Sequence, residues 1–231
     1  MLTTPQNPAA GLAAVRDRIT VATRAALRDP GSVTLIGVCK SQALERLKSA
    51  LDAGLADLGE NYVQEARAHF DALAGRAFVR HFIGPLQSNK TRDVAALFDW
   101  VHSVDRLRIA ERLSSQRPES MTPLSVCIQV RIGNESTKSG VAPAGLAELA
   151  GAVAGLPRLR LRGLMALPPP EPDATRQRRW FAELRRLLEE LNAAGHRLDV
   201  LSMGMSADFE AAIAEGATHV RVGTSIFGAR D

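Results

Sequence analysis

Several residue types are scarce in this chain of 231 residues. Aromatics make up 4% and cysteine occurs twice. Cys39 and Cys127 lie far apart within apolar runs. That excludes a disulfide-stapled scaffold and fits buried free thiols in a reducing compartment. No apolar run approaches the ~18 residues needed to span a membrane, and the opening MLTTPQNPAA carries neither the basic nor the apolar stretch of a secretory signal. A cytoplasmic protein with no membrane partner is expected. Lysine is rare too: of 29 basic residues only Lys40, Lys48, Lys90 and Lys138 are lysines. The net charge of +4 does not single out nucleic acid, because the arginines are interleaved with Asp and Glu and aromatics are few. No nucleic-acid partner is expected. With 45% hydrophobic and 23% charged residues, the composition is globular rather than disordered or fibrous.

The apolar pattern is regular. After an opening helix over Gly11–Leu27, strand-like runs fall at Val33–Lys40, Asp57–Tyr62, Phe78–Gly84, Trp100–Asp105, Leu124–Val130, Leu161–Leu167, Val200–Ser206 and His219–Gly223. Between them lie amphipathic stretches at Leu44–Ala53, Val63–Leu73, Asn89–Leu97, Arg106–Ser115, Pro143–Gly155, Ala174–Ala194 and Ala207–Ala214. Ser206 can cap the last of these, Pro143 suits a first helical turn and Gly195 suits a stop. Strand–helix alternation implies parallel strands with crossover helices. Eight such units predict an α/β fold, a single (β/α)8 TIM barrel with an extra N-terminal helix, occupying residues 1–231 as one domain. The softest stretches are Gln116–Pro123 and Pro168–Pro172.

In such a barrel, chemistry gathers at the C-terminal ends of the strands. Lys40 closes the first run on the same face as Ile36 and Val38. Partial desolvation there favours the neutral amine that attacks a carbonyl; the alternative is a strand-end lysine reaching into solvent. At the eighth exit, Gly223 permits close backbone approach and Thr224 offers a hydroxyl. A short helix over Ser225–Phe227 would expose N–H groups to an anion, beside Ser206 from the seventh exit. Arg221 shares an inward face with Gly223 and needs a partner, either Glu60 or a ligand's ring nitrogen. A lysine amine and a phosphate cradle at one mouth suit pyridoxal 5′-phosphate (PLP), an aldehyde that carries a phosphate.

These residues stand within longer blocks: IGVCK at Ile36–Lys40, GENYVQE at Gly59–Glu65, HFIGPLQSNKTR at His81–Arg92, SVDR at Ser103–Arg106, ESTKSG at Glu135–Gly140, RGLMALPP at Arg162–Pro169, LSMGMSADFEAAI at Leu201–Ile213 and VRVGTSIFGARD at Val220–Asp231. In this order the chain resembles the pyridoxal phosphate homeostasis proteins (YggS/PROSC type). The resemblance implies a barrel like the N-terminal domain of alanine racemase, with PLP held as a Schiff base on Lys40. It also implies phosphate contacts at Ser206, Gly223 and Thr224, Arg221 near the pyridine nitrogen, and Asn61 beside the ring. Family members are regarded as carriers or buffers of PLP without an established reaction, which extends the expected partners to PLP-dependent apoenzymes. Three positions depart from the family pattern: Arg80 where Trp is common, Gln42 where a second lysine is frequent, and an end at Asp231 where some members carry a lysine-containing tail. Lys138 keeps its place.

The rival expectation is a PLP-dependent enzyme such as an amino-acid racemase. Two-base racemisation needs an acid/base on each face of the substrate carbon, which the racemases supply with a tyrosine from a further domain of a partner subunit. Here the single tyrosine, Tyr62, sits within GENY, and the eight units use up the chain. A cation at the ring nitrogen also weakens the ring as an electron sink. A PLP carrier, not an enzyme, is therefore expected, as a monomer because no heptad or exposed apolar strip stands out.

Overall fold

The computed structural model describes residues 7–133, 139–169, 171 and 173–228. Lys138, most of ESTKSG, Pro170, Pro172 and Ala229–Asp231 lie outside the described residues. The eight parallel strands are β1 (Thr34–Val38), β2 (Asp57–Glu60), β3 (Val79–Phe82), β4 (Trp100–Val104), β5 (Leu124–Gln129), β6 (Leu159–Met165), β7 (Val200–Met205) and β8 (His219–Val222). They close in sequence order, with β8 returning to β1 through Thr34↔His219 and Ile36↔Arg221.

The helices are α1 (Pro8–Ala25), α2 (Leu44–Asp52), α3 (Val63–Ala72), α4 (Thr91–Leu97), α5 (Leu107–Gln116), α6 (Leu146–Ala154), α7 (Ala174–Ala193), α8 (Phe209–Ala214) and α9 (Thr224–Phe227). The predicted strands run one or two residues too far at each exit, because the apolar pattern continues beyond the regular ladder, where single N–H groups such as those of Cys39 and Ile83 still reach the next strand. Helix α1 starts earlier than predicted: Asn7 accepts from the Ala9 N–H at 3.0 Å, and Pro8 occupies the first turn. The expected cap by Ser206 is not formed. Helix α8 begins at Phe209 with Asp208 at the cap position, and the Asp208 carboxylate instead accepts from the Met205 N–H at 2.6 Å.

Strand alternation makes two cores. Outward residues such as Leu58, Phe82, Val101, Val126, Leu164 and Val220 pack with the helices in one buried cluster. At ~1.5–3 kcal/mol for each large apolar side chain fully buried, this layer is the main source of stability. Cys127, Met165 and Val200 form a separate inner cluster with Trp100 and Leu167 packed on it. Both cysteines are free and buried, as expected, and burial pushes Cys127 up to about 12. The Gln116–Pro123 stretch is tied down by Arg117, 2% exposed, which donates to the carbonyls of Ala95 (2.6 Å), Phe98 (2.7 Å) and Thr122 (2.9 Å).

Candidate cofactor site at the barrel mouth

Lys40 stands two residues past β1 and Asn61 one residue past β2, and the pairing of Val38 with Gly59 sets these two exits side by side. Lys40 is half-buried, with Nζ 5.1 Å from the centroid of the Tyr62 ring. Its turn is held from both sides. Ser41, in the left-handed region at φ 53°, donates its N–H to Glu65 at 3.0 Å. Gln42, which is buried, accepts from Arg46 at 3.2 Å, and Arg46 also donates to the Phe227 carbonyl at 3.2 Å. The lysine turn is thereby tied to the last turn of the chain. Glycine is required at position 84 because a Cβ there would fall 2.2 Å from the Asn61 carbonyl oxygen.

Gly223 caps α9, and a Cβ on it would come within 3.3 Å of the Val38 backbone and side chain, so this exit hugs β1. The Gly223 carbonyl takes the N–H groups of Ile226 and Phe227, and the earlier amides of such a turn have no partner within the helix. Ser206 follows β7 at the neighbouring exit, after Gly204 at φ 93° turns the chain.

Arg221 lies deeper, opposite Ile36 and Met205 in the ladder, and is 4% exposed. Glu60 is not its partner. That carboxylate points outward to His69 Nδ1 at 2.6 Å, because position 60 is on the helix-facing side of β2. Burial raises the Glu60 carboxyl, and the hydrogen bond to Glu60 raises His69. Arg221 instead donates to Ser202 Oγ at 2.6 Å and to the Ala166 carbonyl at 2.9 Å. Desolvation lowers it to about 10, which leaves a cation at neutral pH.

Beneath Arg221 the interior is unusually polar. Ser202 Oγ lies 2.8 Å from His102 Nδ1, His102 Nε2 lies 2.9 Å from His81 Nδ1, and His81 Nε2 lies 3.0 Å from Asp57 Oδ1. His219 and Trp100 meet through the barrel centre at 5.2 Å between ring centroids, although β8 and β4 stand on opposite sides. These residues were missed in the sequence. The available signal was His or Trp at inward positions of predicted strands, as in HFIG and WVHSV.

The mouth has one orphaned group that bears on a ligand. Asn61 Oδ1 is buried without a hydrogen-bond partner, and an unmet buried acceptor costs ~1–3 kcal/mol. Asn61 lines a cavity of about 450 Å³ with Ile83, Gln129, Leu167 and Met205 among its walls, a volume within the ~300–1,000 Å³ typical of small-molecule sites. A compact ring with a polar substituent at Asn61 fits this place, with Lys40 at the next exit; Lys40, Ser206, Arg221, Gly223 and Thr224 are not among the residues lining the cavity.

Fold and mouth define a class that the sequence also matches: the family described as "Alanine racemase, N-terminal domain" covers residues 11–231. Within that class, the chain is 55% identical to the pyridoxal phosphate homeostasis protein of Pseudomonas aeruginosa over 223 residues, 96% of each chain. It is 51% identical to the protein of that name from Escherichia coli K12, covering 95% of each. PipY of Synechococcus elongatus PCC7942, solved with PLP bound, superposes with a TM-score of 0.85 at 37% identity, covering 96% of this chain and 100% of that one. The chain belongs to the family of pyridoxal phosphate homeostasis proteins.

Proposed function

We propose that the protein binds PLP at the barrel mouth and serves intracellular PLP homeostasis as a carrier or buffer. When bound, PLP supplies an aldehyde for capture by an amine and a phosphate to be anchored. Lys40 is the amine, Asn61 meets a polar substituent of the ring, Arg221 faces the ring nitrogen, and Ser206, Gly223 and Thr224 receive the phosphate. The observation that supports this reading is an unpartnered Asn61 at the exit beside that of Lys40, in a barrel that buries Arg221 and a chain whose relatives are named for PLP homeostasis.

A carrier is favoured over a racemase by two features. Arg221 stays cationic and cannot accept a proton, so it does not favour a protonated ring that would draw electrons from a substrate carbon. The single tyrosine, Tyr62, lies against Lys40 itself and is not placed across the mouth as a second acid/base. The same reading takes residues 1–231 as one PLP-binding domain, a cytoplasmic monomer whose partners are PLP and PLP-dependent apoenzymes. Among the described residues no helix is long and apolar enough to cross a membrane. The test is absorbance: the purified protein should be yellow, or turn yellow saturably on adding PLP, and lose the band with hydroxylamine. Failure to acquire a saturable band would overturn the proposal.

A further inference from the structure

The polar chain beneath Arg221 links five side chains from five strands. It begins at Asp57, whose side chain is 19% exposed and which lines a cavity of about 350 Å³ with Arg16, Thr34 and Leu55. It crosses the barrel through His81 and His102, both essentially inaccessible, and ends on Ser202 and Arg221. Its two ends are chemically one-way. A guanidinium only donates hydrogen bonds and a carboxylate only accepts them.

Those ends determine the middle. Asp57 accepts, so His81 carries its hydrogen on Nε2. A neutral His81 then presents a bare Nδ1, which must accept from His102 Nε2–H. A neutral His102 in turn presents a bare Nδ1, which takes the Ser202 hydroxyl hydrogen, and the Ser202 oxygen accepts from Arg221. Every hydrogen points from Arg221 toward Asp57, and no link is left without a donor or an acceptor. The reverse order needs His81 as an imidazolium donating to His102, which would place a second cation in an interior that already encloses Arg221. The groups facing the two imidazoles are Asp57 from β2, Trp100 from β4, His219 and Arg221 from β8, and Ser202 from β7. Burial, followed by His81, His219 and Arg221, pushes His102 well below its ordinary value, which agrees with a neutral ring.

We infer that Asp57, His81, His102 and Ser202 form one directional hydrogen-bond wire whose role is to position Arg221 beneath the cofactor ring, with both imidazoles as Nε2–H tautomers. This rests on the proposed placement of Arg221 at the ring nitrogen. Ser202 and the Ala166 carbonyl each take a different terminal nitrogen, so together they fix the plane of the guanidinium from below. Because a guanidinium does not release a proton, the wire orients Arg221 and does not deliver protons to the mouth. Ser202, His102, His81 and Asp57 are therefore positioning residues.

The first test uses the full-length protein without cofactor. Long-range ¹H–¹⁵N correlation of ¹⁵N-histidine-labelled protein, assigned with His81→Gln and His102→Gln, should show both rings protonated on Nε2 and bare at Nδ1 near neutral pH. A proton on His102 Nδ1 would overturn the wire. The second test is Ser202→Ala against Ser202→Thr. Ser202→Ala should weaken PLP binding about tenfold, the scale of one hydrogen bond to a charged group, and shift the bound-cofactor absorbance. Ser202→Thr, which keeps the hydroxyl, should restore both. Loss of thermal stability in Ser202→Ala with wild-type affinity and spectrum would reduce Ser202 to a structural role and sink the proposal. If wild type fails to bind PLP, the proposed function falls while the tautomer measurement still decides the wire.

Discussion

Acidification should unfold this protein through its barrel interior, in a window set by histidine. Burial is the largest cause holding His219 at about 4 against an ordinary 6.5, and burial pushes His102 well below its ordinary value too. A histidine with a depressed folded value binds its proton more readily when unfolded, so stability is lost as pH falls through 6.5 and the loss levels off below the folded value. For His219 alone this linkage amounts to about 2 kcal/mol by pH 5 and about 3 kcal/mol by pH 4, and His102 adds to it. His69, raised by Glu60, works in the opposite window: its contribution is full below 6.5 and fades as pH rises through its folded value. The assay is urea unfolding at a series of pH values from 7.5 to 4.5. His219→Gln removes one titrating group, so its stability should fall about 1.2 kcal/mol less per pH unit between pH 6 and 4.5 than that of wild type. Equal slopes for the two proteins would refute the reasoning, because they would mean that His219 binds protons alike in the folded and unfolded states.

Three further outcomes are expected. Gly84→Ala should cost about 1–3 kcal/mol of stability, because its Cβ meets the Asn61 backbone, and should weaken PLP binding by displacing Asn61; wild-type urea midpoint and affinity would contradict this. Arg221→Ala should weaken retention of PLP or shift its absorbance while circular dichroism shows an intact barrel; unchanged spectra and affinity would remove Arg221 from the site. Purified protein given a single amino-acid enantiomer should not racemise it at the ~1–10³ per second of ordinary enzymes, and chiral chromatography showing such turnover would favour the racemase reading.

The barrel was legible in the sequence because strand and helix periods differ and eight alternations leave few topologies. Strand ends were less so: alternation carries Lys40 into line with Ile36 and Val38, but the strand ends at Val38 and the last backbone bond to β2 is made by the Cys39 N–H to Gly59. The mouth could be read from Lys40 and the Gly223–Thr224 turn because their residue types are unusual at strand exits. The partner of Arg221 could not. Choosing Ser202 over Glu60 depends on which face of β2 and β7 turns inward, and that is fixed only when the register around the closed ring is known. The histidine interior was hidden for the same reason, since His81 and His102 meet only when β3 pairs with β4 in the right register, and His219 reaches them from β8 across the barrel axis.

The central claim, that Lys40 is the amine that holds PLP, is tested most directly by reducing the PLP-loaded protein with borohydride and mapping the labelled peptide by mass spectrometry. The pyridoxyl label should sit on Lys40. A label on Lys48, Lys90 or Lys138 with Lys40 unmodified would contradict the account.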